Sequence, residues 1–451
     1  MRGRALSRSL VGMLLGLLLA IFLGDAAAAQ EGDGAGVQGT LTYEPEDETA
    51  TEKLPVEGAT LIVYEAELSA DARQIVEIGA QVGEATTDAE GAFSIDLPRE
   101  ADYAVELQID TLPEGVTLVD EDRQQLPLRL TENQRRNVLF NLAEGDAGGG
   151  GRVQSTTFDR AARLTVEGIK YGLIIGMCAV GLSLIYGTTG LVNFAHSEMI
   201  TLGAVFAFFF NVTLGIQLIP AVVLAMILGG VSGAGLDAVI WRPLRRRGVG
   251  LVAMMIISIG LAILLRYCIL YQFGDRSRPF NDYAVQTDPL IEIGPVALVA
   301  KDVLIIVLSV VVLVAVAMGL RLTKLGKAMR AVSDSPDLAA STGIDVDRIV
   351  TVVWFLAGVL VTLGGVFVAL SEQVNWLMGQ QLLLLVFAGV TLGGLGTDFG
   401  AMAGSLVVGV LVYLSTLYLA PELRNVGALL VLIIILMIRP QGLFGRRERI
   451  G

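Results

Sequence analysis

Beyond residue 165 the chain repeats one pattern: long apolar runs almost free of charge, separated by short segments rich in glycine, arginine or lysine. Such runs exceed what a soluble core uses, and hydrocarbon offers no water to an unpaired backbone group. Each run is therefore expected to cross a membrane as a helix. Spans are expected near 169–188, 197–214, 218–240, 249–272, 301–320, 349–370, 381–397, 400–419 and 423–438. Some are short, and 381–397 or a neighbour could be re-entrant. The expected fold is thus a polytopic α-helical membrane protein of eight or nine spans, preceded by a small all-β sandwich domain. Only 17% of the 451 residues are charged, against about 25% in a soluble domain. The 53 glycines are about 12% of the chain against a usual ~7%, and suit helices whose backbones approach closely.

Charge sets the expected orientation. Arg242, Arg245, Arg246 and Arg247 mark one cytoplasmic loop, and Arg321, Lys324, Lys327, Arg330 and Arg348 a second. Arg439, Arg446, Arg447 and Arg449 mark a cytoplasmic tail, while 273–300 mixes four acids with two arginines and fits outside. Counting back puts the N-terminus outside, although Arg160, Arg163 and Lys170 lie on the disfavoured side of the first span.

The N-terminal part has another solvent. Residues 30–160 hold 28 Asp/Glu and 9 Lys/Arg, whereas the rest of the chain has a small basic excess. Arg2, Arg4 and Arg8, the apolar core 10–23 and Ala27-Ala28-Ala29 read as a signal peptide over 1–29, with a retained anchor as the alternative. An extracytoplasmic β-sandwich domain is expected over 30–144, with strands at 36–43, 59–64, 81–86, 92–97, 103–109 and 125–130. Asp88-Ala-Glu-Gly91 and Pro113-Glu-Gly115 supply turns. The stretches at 55–59, 87–93 and 103–105 resemble the carboxypeptidase-regulatory-like β-sandwich, which implies an accessory or adhesive module. A glycine-rich linker is expected over 145–164, flexible at 145–151, before the membrane domain at 165–451.

Chemistry on the chain is sparse. Cys178 and Cys268 lie in apolar runs without metal-ligand spacing, and His196 is the single histidine. No metal site, catalytic residue, cofactor or nucleic-acid partner is expected. Among the spans, Glu198, Asp237 and Arg266 are nearly the whole set of ionisable groups, which speaks against an ion-coupled secondary carrier or channel. Arg266 would either snorkel outward or serve a polar path. Trp241, Trp354 and Trp376 sit at span ends, as interface anchors do.

Three clusters stand out. In 186–198, Asn193, His196 and Glu198 fall within six residues, costly near hydrocarbon unless they face a polar path. Gly187 and Gly190 would let a helix break there at depth; the other reading is a cytoplasmic turn with Glu198 stabilising the next helix start. In 326–344, Asp334, Ser335 and Pro336 can cap a short helix from Asp337 to Thr342, stopped by Gly343. It makes a mechanical handle for a cytoplasmic partner, or an ordinary connection. In 391–404, Gly400 and Gly404 have the small-xxx-small spacing of close helices, and Asp398 could cap the helix from Phe399. Gly187/Gly190/Ala195 and Gly393/Gly396/Ala401 are loosely similar, a weak trace of an internal repeat.

Asn193-Phe-Ala-His-Ser-Glu198, the 326–344 segment, Gly393-Gly394-Leu-Gly396 and Arg439-Pro-Gln-Gly-Leu-Phe-Gly445 resemble the branched-chain amino acid ABC transporter permease family, the first permease of its pair, over roughly 165–449. The resemblance implies a multi-pass protein of a bacterial inner membrane, surrounded by lipid. Its expected partners are a second permease, two ABC ATPase subunits, an extracytoplasmic substrate-binding protein and a small-molecule substrate. It also implies an ATPase-coupling loop at 331–344, with Ala331, Asp334, Asp337, Ala339, Ala340, Gly343 and Ile344. The translocation-path candidates are Asn193, His196, Glu198, Arg266 and Asp398; the packing glycines are Gly187, Gly190, Gly393, Gly394, Gly396, Gly400 and Gly404. Ser197 departs from the family's commoner glycine. The long exported domain departs further and keeps urea or short amides open as substrates. No Gly-x-x-x-x-Gly-Lys-Ser/Thr occurs, so ATP hydrolysis is expected on other chains.

Overall fold

The computed structural model describes residues 36–44, 54–68, 75–98, 101–113, 115–118, 124–130, 135–138, 140, 142–144, 156–275, 277–280, 289–394 and 396–419, with single positions between 423 and 437. The expected signal peptide, the 145–151 stretch, most of the 423–438 span and the 439–445 tail lie outside the described residues. The chain divides into two compact units, residues 25–154 and the remainder.

The smaller unit is all β. Its strands are β1 (Gly36–Thr40), β2 (Thr42–Glu44), β3 (Leu54–Pro55), β4 (Thr60–Leu68), β5 (Ile75–Thr86), β6 (Ala92–Asp96), β7 (Asp102–Leu107), β8 (Val116–Leu118), β9 (Gln125–Arg129), β10 (Arg135–Asn137) and β11 (Leu142–Glu144). They form three sheets, ordered β10-β1-β6, β3-β2-β11-β8 and β5-β4-β7-β9. Alternation places Leu61 and Val63 of β4 beside Val105 and Leu107 of β7, all fully buried. They share one core with Val37, Phe93, Tyr103 and Phe140. Asp88 Oδ1 accepts from the N–H groups of Glu90 and Ala92 at 3.1 and 2.7 Å, and Gly91 takes φ +75°, closing the turn into β6. The buried Thr87 hydroxyl donates to Val56 O at 2.6 Å and accepts from Ala59 N–H at 3.0 Å, joining two loops.

The larger unit is helical: α1 (Thr157–Thr189), α2 (His196–Phe208), α3 (Leu218–Leu236), α4 (Arg242–Arg246), α5 (Leu251–Phe273), α6 (Ala300–Leu322), α7 (Lys324–Asp334), α8 (Pro336–Ser341), α9 (Val346–Glu372), α10 (Met378–Gly393) and α11 (Asp398–Ser415). α2 runs into a π turn at Phe209–Thr213, and α3 runs through another at Asp237–Trp241 into α4. A hairpin of β12 (Pro289–Ile293) and β13 (Val296–Val299) precedes α6. Among the described residues six helices are long and apolar enough to cross a membrane: α1, the continuous stretch Leu218–Arg246, α5, α6, α9 and α11. α10 is a shorter apolar helix. α1 begins well before the expected start of the first span because Thr156 and Asp159 form a reciprocal capping box.

Close backbone approach holds the helices together. A Cβ on Gly172 of α1 would stand 2.9 Å from Leu406 Cα of α11, and one on Gly404 would collide with Gly389 O of α10. Gly393 and Gly400 press on each other in the same way, and Gly203 of α2 lies on Thr362 of α9. Trp241 and Trp354 depart from the interface positions expected of them. Both are fully buried, with rings stacked 6.0 Å apart at 21°, because the π turn swings Trp241 onto α9.

Candidate functional site

α1 ends where Gly190 adopts φ +67° and returns its N–H to Tyr186 O at 2.7 Å. The chain then continues without helix through Ala195, and α2 opens at His196. This irregular stretch climbs back beside α1. His196 Nε2 lies 2.9 Å from Cys178 O; a carbonyl only accepts, so Nε2 carries the proton. Cys178 precedes the end of α1 by eleven residues, about 16 Å along the helix. The segment therefore doubles back along α1, about three turns from its end.

Unwound backbone packed among helices needs partners from them. Phe194 N–H donates to Ser258 Oγ of α5 at 3.1 Å, and the same hydroxyl lies 3.4 Å from Val192 O. Ser197 Oγ donates to Phe194 O at 2.9 Å. On the α10 side, Gly379 N–H donates to Thr201 Oγ1 at 3.2 Å, and a Cβ on Gly379 would strike Ser197 O. The Phe194 ring meets Phe387 of α10 at 5.2 Å.

Glu198, in the first turn of α2, is fully buried and receives Arg266 of α5 on one oxygen. Arg266 Nε and Nη2 donate to Oε1 at 3.0 and 2.8 Å, and the Ser197 hydroxyl, whose one proton is shared between Phe194 O and this oxygen, lies 3.1 Å away. Arg266 thus points inward to a carboxylate, so of the two readings open for it the outward snorkel does not hold; a paired charge costs far less in hydrocarbon than a lone one. Asn193 is also fully buried, and its Oδ1 accepts from Ala195 N–H at 3.1 Å. Three polar atoms here, Asn193 Nδ2, His196 Nδ1 and Glu198 Oε2, have no hydrogen-bond partner among the described residues. Of the expected path residues the structure therefore brings together Glu198 and Arg266, while Asn193 bonds its own turn and His196 the backbone of α1. Asp398 stands apart as the half-buried first residue of α11.

The glycine-rich segments meet. A Cβ on Gly396 would lie 4.0 Å from Gly187 Cα, and Ser333 Oγ of α7 donates to Gly187 O at 2.6 Å. Gly394 and Gly396 take φ of +104° and +77° between α10 and α11. In the 331–344 segment, Ser335 caps α8 by accepting from Leu338 N–H at 3.4 Å, Pro336 is its first residue, and Gly343 ends it at φ +87°. Ala339 is buried beneath α8, Ala331 and Ile344 are half-buried, and Asp334, Asp337, Ala340 and Gly343 face solvent.

Two further ionic contacts escaped the sequence reading. Lys170 of α1 is buried and donates to Asp302 of α6 at 2.8 Å, with Glu167 at 2.6 Å. Asp237 is fully buried against Arg242 and Arg245. An acid and a base each placed early in an expected helix were visible for the first pair, but nothing in the sequence joined residues so far apart. Among the described residues no group of three or more His, Cys, Asp or Glu is placed to hold a metal ion.

Residues 164–438 match the family described as "Branched-chain amino acid transport system / permease component". The chain is 27% identical over 297 residues to the high-affinity branched-chain amino acid transport system permease protein LivH of Escherichia coli K12, covering 62% of this chain and 94% of that one. It is 26% identical over 298 residues to the corresponding permease protein BraD of Pseudomonas aeruginosa, covering 63% and 95%. Among solved structures, the minor pilin GBS52 of Streptococcus agalactiae aligns at 12% identity over 25% of this chain and 46% of its own, with a TM-score of 0.18, too low to show a shared fold. The apolar helices and the match over most of the chain converge: this is a multi-pass membrane protein that belongs to the branched-chain amino acid transport permease family.

Proposed function

We propose that this chain is one of two permease subunits of an ATP-driven importer of branched-chain amino acids, with ATP hydrolysis on two separate ATPase subunits and substrate delivered by an extracytoplasmic binding protein. Relatives named for branched-chain amino acid transport along nearly their whole length support the substrate class. The observation that carries the path is the return of unwound backbone 190–195 into the bundle, ending on the Glu198–Arg266 pair. Irregular backbone at depth is tolerated where it lines a cavity or is held by protein. Asn193, His196, Glu198 and Arg266 line the path on this subunit's side, and the second permease covers the exposed face of α5. With the basic segments on the cytoplasmic side, an odd number of crossings puts the β unit outside and the C-terminus inside.

Among the described residues the fully or nearly buried acids Glu198, Asp237 and Asp302 each pair with a basic residue of this chain, an arrangement that favours a structural role for these charges over ion coupling in a secondary carrier. The exposed face of α8, with Ala340 on it, receives an ATPase subunit. Mild-detergent purification from native membranes should recover two ATPases, a second permease and a binding protein, and labelled leucine should enter vesicles only with ATP. The Ala340→Asp variant should still reach the membrane, lose the co-purifying ATPase and lose uptake by more than tenfold. Recovery without any ATPase, or leucine uptake indifferent to ATP, would overturn the proposal; urea uptake in its place would change the substrate alone.

A further inference from the structure

The first turns of α9, which follow α8 directly, are fastened to the end of α3 through one carboxylate. Asp237 opens the π turn and is fully buried. Its Oδ1 accepts from Arg245 Nη2 at 2.6 Å, and its Oδ2 accepts from Arg242 Nη2 at 3.3 Å and from the Thr351 hydroxyl of α9 at 3.1 Å. Arg242 Nη2 reaches onward to Asp347 O at 3.2 Å and to the Thr351 hydroxyl. Arg246 donates to Asp347 Oδ2 at 2.6 Å. Three arginines of one short helix thus hold a carboxylate on each of two other elements.

The surroundings show what this fastening adds. α3 and α9 already touch along small residues, where Gly358 presses on Gly229 and Gly233 on Trp354 O. Such contacts bring the backbones close through packing alone, without the direction of a hydrogen bond. Charge-assisted hydrogen bonds have fixed directions and set axial register. On its other side α9 is continuous with α8: Ile344 N–H donates to Ala339 O at 3.1 Å, and Asp345 Oδ1 caps α9 by accepting from Arg348 N–H at 3.0 Å. A displacement of α8 therefore meets no hinge other than Gly343 before α9, and none between α9 and α3 while the Asp237 contacts hold.

We propose that the Asp237 cluster is the joint that carries movement of α8 into the membrane helices, with Asp237, Arg242, Arg245 and Thr351 as positioning residues that couple ATP hydrolysis to transport. This rests on α8 being the ATPase-docking element. The joint acts after docking: it holds α3 in register with α9, so that α3 follows when α8 moves. The second polar link near α8, from Ser333 Oγ to Gly187 O, joins α7 to α1 and leaves α3 untouched.

The test uses the complete transporter in proteoliposomes, with labelled leucine and ATP hydrolysis measured on one preparation. Asp237→Asn should keep the ATPase subunits at wild-type stoichiometry and keep hydrolysis within about twofold, while leucine moved per ATP falls at least tenfold. Asp237→Glu should recover most of that ratio. Thr351→Val keeps every charge and should lower the ratio several-fold, which preserves the test if Asp237→Asn fails to assemble. An unchanged ratio in the variants that assemble would overturn the proposal, since a merely structural role lowers uptake and hydrolysis together. Loss of ATPase from Thr351→Val or Asp237→Asn would also overturn it, placing the cluster in docking itself. The Ala340→Asp result tests docking separately.

Discussion

Helices α1 and α6 meet through Lys170 and Asp302, yet they occupy opposite kinds of surroundings. In α1, 94% of the most apolar stretch is buried within this chain; in α6, as in α5, the share is 22%. α6 is nonetheless the more apolar of the two. Apolarity decides that a helix crosses the membrane, and small residues decide where in the bundle it sits. Gly168 and Gly172 of α1 each face another helix's backbone, whereas Gly260 of α5 and Gly319 of α6 have nothing within 4 Å. Lipid can cover α6, but only protein can approach α1 as closely as α11 does.

The contrast can be broken most forcefully with glycines. Gly172→Leu should abolish accumulation of the protein in membranes, because α11 has no room to withdraw, while Gly260→Leu should accumulate normally; immunoblots of membrane fractions read both. Equal accumulation would show that the close contact of α1 with α11 does not hold the bundle. A smaller effect separates the polar centre from the rim. Glu198→Gln leaves Arg266 unpaired among helices and should cost about 3–5 kcal/mol, seen as a lowered melting temperature of purified protein. The double variant Glu198→Gln/Arg266→Gln should lose clearly less than the two single losses combined, and simple additivity would mean that the residues do not act as a pair. Smallest is Ser258→Ala, which removes one hydroxyl from the 192–194 backbone for ~1 kcal/mol. It should slow uptake a few-fold without altering abundance, and a full loss of protein would assign Ser258 to assembly instead.

Local chemistry was legible in the sequence and remote partnership was not. The Ser335 cap, Pro336 and the stop at Gly343 are set by neighbours in the chain, so α8 came out with nearly its observed bounds. The turn from Asp88 to Gly91, the main strands and the break after Gly190 were readable for the same reason. The capping box of Thr156 and Asp159 was equally local but went unread, which put the start of α1 too late. Pairings across 68 residues for Glu198 with Arg266, and 132 for Lys170 with Asp302, leave no periodic trace. The π turn that hides Trp241 is a slip of one hydrogen-bond register, invisible to hydropathy. The hairpin at 289–299 lies within the stretch whose mixed charge predicts an exterior loop, and its short strands carry too little alternation to stand out.

The tie between Phe194 and Ser258 also has a history in time. A ribosome finishes the 186–198 segment well before it makes α5, whose Ser258 and Arg266 lie 64 and 68 residues further on than their partners. At ~5–20 residues per second, the unwound backbone and the Glu198 carboxylate wait about 3–14 s for their partners. Exposed to lipid for that interval, the unwound backbone and the lone carboxylate would each carry the cost of an unsatisfied polar group, a cost that the arrival of α5 removes.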